Sequence, residues 1–263
     1  MGEKSTMEQN EKKGLAGSTL KLIAIITMLI DHSGVALLEM YMNAQGHPMT
    51  FETNYEGFFQ ILSIIYIVMR LIGRLAFPIF CFLLVEGFFK TRNRIRYSAR
   101  LFAFALISEV PFDLSLFNKT FNWNYQNVYF TLLIGLLTIW GMEWIKSLWE
   151  KKDYPKGTEY LVNIVIMAAG AGIAELLRTD YGMDGVLAIS VMYLFYKSKT
   201  RSFLFGTLFL VCRNLFELPA LLGLVAVRAY DGRRGWKLKY LFYLFYPGHL
   251  IILYAISVLI IGR

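Results

Sequence analysis

Charge is scarce in this 263-residue chain. Asp, Glu, Lys and Arg together make up 17% of it, against about 25% in soluble domains. With 56% hydrophobic residues, 16% aromatics and a mean hydropathy of +0.48, that shortage excludes an ordinary soluble domain and a disordered or collagen-like chain. Two cysteines exclude a disulfide scaffold, and neither Cys81 nor Cys212 belongs to a CxxC or metal-ligand spacing, so no metal site is expected. There is no G-x-x-x-x-G-K-S/T loop, no G-x-S-x-G elbow and no H-E-x-x-H. P-loop, serine-hydrolase and zinc-hydrolase chemistry are therefore unsupported. Residues 1–18 are polar and of mixed charge, unlike a signal peptide, and read as a short cytoplasmic leader. No internal repeat is evident, which weighs against an inverted-repeat transporter. Acidic residues are the minority, 19 against 27 Lys and Arg, for a net charge of +8. On a greasy chain that excess marks cytoplasmic loops rather than a nucleic-acid partner.

What is present is a series of apolar runs, most of them near the ~20 residues that cross ~30 Å of hydrocarbon. They are Leu20–Met40, Phe58–Phe89, Tyr97–Leu116, Asn127–Leu148, Tyr160–Leu177, Tyr181–Tyr196 and Tyr240–Ile261. Phe58–Phe89 is interrupted by Arg70, Gly73, Arg74 and Pro78 and is taken as one kinked span. Basic loops at 90–100, 146–156, 197–201 and 228–239 alternate with loops poor in Lys and Arg. Keeping the last two on one side requires Ser202–Ala229 to fold as two short helices meeting near Arg213 and Asn214. The expected architecture is all-α: a polytopic helical bundle of about nine transmembrane helices, some short or broken, forming one domain over 19–263. The N-terminus would be cytoplasmic and the C-terminus outside the inner membrane. Gly170, Ala171 and Gly172 are expected to allow close helix packing.

Ionisable groups inside apolar runs are costly and mark function or pairing. Asp31 and His32 fall mid-way along the first run, Arg70 and Arg74 within the second, and His249 mid-way along the last. Glu109 and Asp113 lie near the outer end of the third, and Asp180 and Asp184 flank the sixth. His32, Arg74 and His249 reach similar depth on three different runs. Read singly, each has a structural explanation: Asp31 with Arg74 as a buried ion pair, Arg70 as a snorkelling residue, His249 as a partner for carbonyls freed by Pro247.

The order of several segments carries a resemblance. LKLIAIITMLIDHSG at 20–34, RLIGRLAFPIFCFLLVEGFFKTRN at 70–93, ISEVPFD at 107–113, NVYFTLLIG at 127–135, YGMDGV at 181–186 and YLFYPGHL at 243–250 together resemble the TraX family of membrane proteins. The resemblance runs from about residue 20 to about 255. TraX proteins are similar to a wider group of transmembrane acyltransferases. The resemblance implies transfer of an acetyl group from cytoplasmic acetyl-CoA to an amine or hydroxyl acceptor at or across the membrane, a pilin N-terminus, amino sugar or glycan being the candidates.

Under that reading His32 is the general base, with Asp31, Arg74 and His249 completing the catalytic set. Neighbours on a helix point ~100° apart, so Asp31 is expected to pair with Arg74 rather than brace His32. Arg74 is then the candidate for oxyanion stabilisation. Arg92, Arg96, Arg100 and Arg228, at the ends of runs beside basic loops, are the candidate clamps for CoA phosphates. Asp113, Asn127 and Asp180 are the candidates for holding the acceptor. The competing class is a secondary transporter or channel that uses the midplane histidine, aspartate and arginine groups as a proton or substrate site.

Overall fold

The computed structural model describes residues 14–48, 56–152, 154–236 and 239–262. The expected leader therefore lies largely outside the described residues, as do residues 49–55 between the first two runs. Among the described residues there are helices and two isolated bridges but no strand. The expected all-α class is observed.

Among the described residues nine rods follow one another. The first is α1 (Gly17–Ser33), a π-helical stretch Gly34–Glu39 and α2 (Met40–Ala44), running on without a break. The second is α3 (Gly57–Gly73) and α4 (Ala76–Lys90). Then come α5 (Arg94–Phe117), α6 (Val128–Lys152), α7 (Lys156–Leu176), α8 (Gly182–Leu194) and α9 (Lys199–Arg213). A 3-10 helix (Leu215–Leu222) leads into α10 (Gly223–Ala229), and α11 (Lys239–Ile261) ends the chain. Five of these are long and apolar enough to cross a membrane: Gly17–Ala44, Gly57–Lys90, Val128–Lys152, Gly157–Leu176 and Phe242–Ile261. This is a membrane protein. α8, α9 and the Leu215–Ala229 pair are too short to cross alone and are packed against neighbouring helices, which satisfies their backbone within protein rather than lipid.

The interruption inside the second span is a turn at Arg74–Leu75, where both N–H groups still reach back to Leu71 and Ile72 at 3.3 Å. The chain turns between α9 and the next rod at Asn214, whose side chain accepts from Phe216 N at 3.0 Å. Polar short side chains at such positions replace the missing helical partners.

α4 is the central element and buries nine of its fifteen residues, among them Ile79, Phe82, Val85 and Phe88. It packs on α1, α6, α8 and α9. Outward faces carry Ile61, Ile64 and Val68 on α3, Leu161 and Val165 on α7 and Leu259 on α11, all exposed, where lipid chains would cover them. Of the small residues expected to pack, Gly170 does: a Cβ there would lie 2.1 Å from Thr138 Oγ1. Gly172 does not, because nothing lies within 4 Å of its Cβ position.

The bundle has two distinct ends. At one, Leu15 pairs with Tyr230, Lys90 binds Glu86 and the Gly232 carbonyl, and Lys199 binds the carbonyls of Arg228 and Tyr230. The basic loops gather here. The other end holds the polar residues of the apolar runs.

Candidate active site

Towards that second end the helices leave a cavity of about 540 Å³. α1 delivers Asp31 and His32, the α3–α4 junction delivers Arg70 and Arg74, the 3-10 helix delivers Glu217, and α11 delivers Tyr246. His249 stands behind His32, 5% exposed.

Two hydrogen-bonded systems meet in the wall. In the first, Asp31 bridges two arginines: Oδ2 accepts from Arg70 Nη1 at 2.7 Å and Oδ1 from Arg74 Nη2 at 3.2 Å. Arg74 Nη1 reaches Glu217 Oε1 at 3.0 Å, and its Nε donates to the Arg70 carbonyl at 3.1 Å. Phe216 covers the guanidinium. Asp31 and Glu217 thus hold Arg74 from both sides, and none of the three is an isolated charge in a low-dielectric interior. Gly73 makes the close approach possible. A Cβ there would lie 2.2 Å from Asp31 Oδ1.

The second system is a histidine chain. His249 Nδ1 lies 2.8 Å from the Phe245 carbonyl oxygen, which can only accept. Nδ1 therefore carries the proton and His249 Nε2 carries a lone pair. His32 Nδ1 lies 2.7 Å from that Nε2 and must donate to it. His32 is left with its Nε2 lone pair, and no described residue bonds to it. The rings lie 5° from coplanar, so the chain is aligned as well as short. The freed Tyr243 carbonyl below Pro247 receives Tyr129 Oη at 3.5 Å, so His249 is not occupied in repairing the proline break.

Around the rim, Tyr66 Oη donates to Glu39 Oε2 at 2.6 Å and Tyr125 Oη to Asp180 Oδ1 at 2.7 Å. Asp184 pairs with Arg213 at 2.8 Å. Tyr181 stacks on Phe77 with centroids 3.5 Å apart.

A family model described as TraX protein matches residues 16–257. The chain belongs to the TraX family. A relative from Dichelobacter nodosus, named probable fimbrial assembly protein FimC, serogroup H1, is 29% identical over 266 aligned residues, covering 89% of this chain and 92% of that one. No solved structure matches.

In this TraX chain the structure brings His32 and His249 into contact and joins Asp31 to Arg74. Asp180 lines the same cavity. It adds Arg70, which is an ion-pair partner of Asp31 rather than a snorkelling residue. Arg74 lines the cavity too, with three of its five N–H donors serving Asp31, Glu217 and the Arg70 carbonyl. Asp113 and Asn127 do not line the cavity. Asp113 Oδ2 accepts from Asn122 N at 2.7 Å and fixes the α5–α6 loop. Asn127 caps α6 through Tyr129 N at 3.0 Å while its Nδ2 binds the Ala105 carbonyl at 2.8 Å and Glu109. Asn127→Ala is accordingly expected to cost about 1–3 kcal/mol of stability. Thermal unfolding in detergent checks it, with binding at the cavity unchanged in the folded fraction.

Arg92, Arg96, Arg100 and Arg228 also lie away from the cavity, at the basic end. α4 runs from Ala76 in the cavity wall to Lys90 at that end, about 20 Å at 1.5 Å per residue. Arg92, Arg96 and Arg228 are exposed there. Arg100 is half-buried, its guanidinium over the Tyr97 ring.

Sequence reasoning leaves out Glu217, although a lone carboxylate inside LFELPALL is a readable signal. It also leaves out Tyr66, Tyr125 and Tyr246, for which no signal exists, because tyrosine is ordinary in an apolar helix.

Proposed function

We propose that this protein is an integral membrane acetyltransferase that moves an acetyl group from acetyl-CoA to an amine or hydroxyl acceptor. The observation that carries the reading is the chain from the Phe245 carbonyl through His249 to His32, ending on a free ring nitrogen beside a polar cavity in an apolar bundle. A neutral histidine held in one tautomer by a second group is the arrangement that general base catalysis requires. His32 Nε2 takes the proton of the attacking amine or hydroxyl. Its Nδ1–H keeps its bond to His249 throughout, so the imidazolium that forms is oriented and stabilised. Collapse of the tetrahedral intermediate expels the CoA thiolate, which takes that proton back from His32.

The excess of Lys and Arg in alternate loops supports a cytoplasmic N-terminus and basic end, and an outward-facing C-terminus in the inner membrane. The CoA phosphates then bind at the basic end, to Arg92, Arg96, Arg100 and Arg228. A file of side chains supports a route for the pantetheine arm. The Arg100 guanidinium acts electrostatically on Tyr243, Tyr243 lies 6.4 Å from Tyr129, and Tyr129 meets Tyr246 edge-on at 5.0 Å, next to His32. This file follows the seam between α5, α6 and α11. Asp180 and Glu39 at the rim favour an acceptor that brings hydrogen-bond donors. The fimbrial assembly name of the D. nodosus relative makes a pilin terminus one such acceptor.

Isothermal titration of the detergent-purified protein with acetyl-CoA tests this. Binding is expected that weakens in Arg100→Ala and in the Arg92→Ala/Arg96→Ala double variant and persists in His32→Ala. No heat from the folded protein would overturn the reading and leave a transporter in its place.

A further inference from the structure

Acyl transfer needs a donor for the oxygen of the tetrahedral intermediate, and the arginine nearest the chemistry is already tied to two carboxylates and a carbonyl. The cavity wall offers another group. Tyr246 is 3% exposed and lines the cavity, and its hydroxyl finds no hydrogen-bond partner in the protein by distance and angle. A buried phenol that donates to nothing forfeits about 1–3 kcal/mol unless a ligand supplies the acceptor. Its ring stands edge-on to both histidines, 6.0 Å from His32 and 5.7 Å from His249, and edge-on to Tyr129 at 5.0 Å. Three aromatic neighbours fix the ring.

We infer that Tyr246 is a catalytic residue whose O–H donates a hydrogen bond to the developing oxyanion of the acetyl group while His32 removes the acceptor's proton. This deepens the acetyl-transfer reading and rests on it. The acceptor nitrogen or oxygen forms a bond to the thioester carbonyl carbon, and the carbonyl electron pair moves onto its oxygen, where Tyr246 O–H meets it. The pair returns as the carbon–sulfur bond breaks, and the thiolate leaves with the proton held by His32. No oxidant, metal or further reactant is needed. Base and oxyanion donor then sit side by side on the same wall. Tyr246 and His249 lie three residues apart on α11, so one helix face supplies both the donor and the orienter of the base.

The test is steady-state turnover of acetyl-CoA by the purified protein, with ethanolamine, glucosamine and a peptide with a free amino terminus as acceptor probes. Tyr246→Phe keeps the ring and its three aromatic contacts and removes only the hydroxyl. Its kcat is expected to fall roughly 10²–10³-fold, with KM for acetyl-CoA, the heat of acetyl-CoA binding and the melting temperature unchanged. Tyr193→Phe, which removes a phenol bound to Glu143 at the other end of the bundle, is expected to leave kcat unchanged. Wild-type kcat in Tyr246→Phe would overturn the inference while leaving acetyl transfer intact. Equal losses of kcat, binding heat and melting temperature would show a packing role and also overturn it. A wild type that turns over acetyl-CoA with none of the three probes and gives no heat with it would remove the acetyl-transfer reading itself.

Discussion

His32→Ala is expected to lower acetyl transfer by roughly 10²–10⁴-fold, the range that a positioned general base supplies. Acetyl-CoA binding should survive, because the phosphates would be held about 20 Å away at the basic end. The histidine chain makes a graded prediction behind this one. His249→Gln can still accept the His32 Nδ1 proton at its amide oxygen and keep the tautomer. His249→Phe fills similar space but accepts nothing, which frees His32 to flip its tautomer and present an N–H where a lone pair is needed. Rates should therefore order as wild type, then His249→Gln, then His249→Phe, then His32→Ala. Single-turnover kinetics reads this order directly. Equal rates for the two His249 variants would show that His249 does not set the tautomer.

The largest stability effect is expected at Asp31. Its carboxylate meets Arg70 and Arg74 with only 10% of its side chain exposed, and Arg74 is itself 12% exposed. Removing one partner of a buried pair leaves the other charge uncompensated, which typically costs 3–5 kcal/mol. Asp31→Ala strands two cations, although Glu217 still holds one of them. It should melt well below wild type in detergent. Asp31→Ala with Arg70→Leu should recover part of the loss, because the double variant no longer buries the second guanidinium. Gly73→Ala should act on the same contact from the other side by pushing a methyl group into Asp31. A melting temperature in Asp31→Ala equal to wild type would show that the carboxylate does not hold the α1–α3 interface together.

The sequence was most readable where an ionisable group interrupted an apolar run. Asp31, His32, Arg74 and His249 stand out because a charge or imidazole in hydrocarbon needs a reason, and the structure gathers all four. The turn at Asn214 was legible because loop charge requires the chain to come back. The all-α class followed from the absence of water in the bilayer core. Other features carry no such mark. Asp113 and Asn127 are polar residues at a helix end, and sequence cannot tell whether they turn to a ligand or to the backbone of a loop; the structure shows the backbone. Arg74 was visible but its full pairing was not, since its second carboxylate partner, Glu217, is far away in sequence. The π-helical stretch at Gly34–Glu39 and the free hydroxyl of Tyr246 leave no trace in hydropathy. The placement of Arg92, Arg96 and Arg228 at the basic end, by contrast, was readable from their position beside basic loops at the ends of apolar runs.

The most direct test of the central claim is transfer of isotope-labelled acetyl from acetyl-CoA to the membrane components of the native host, comparing vesicles that carry the wild-type protein with vesicles that carry His32→Ala at equal abundance. The account predicts label on an amine- or hydroxyl-bearing product in the first and almost none in the second. Equal labelling in both would remove His32 from the chemistry, and label in neither would contradict acetyl transfer by this protein.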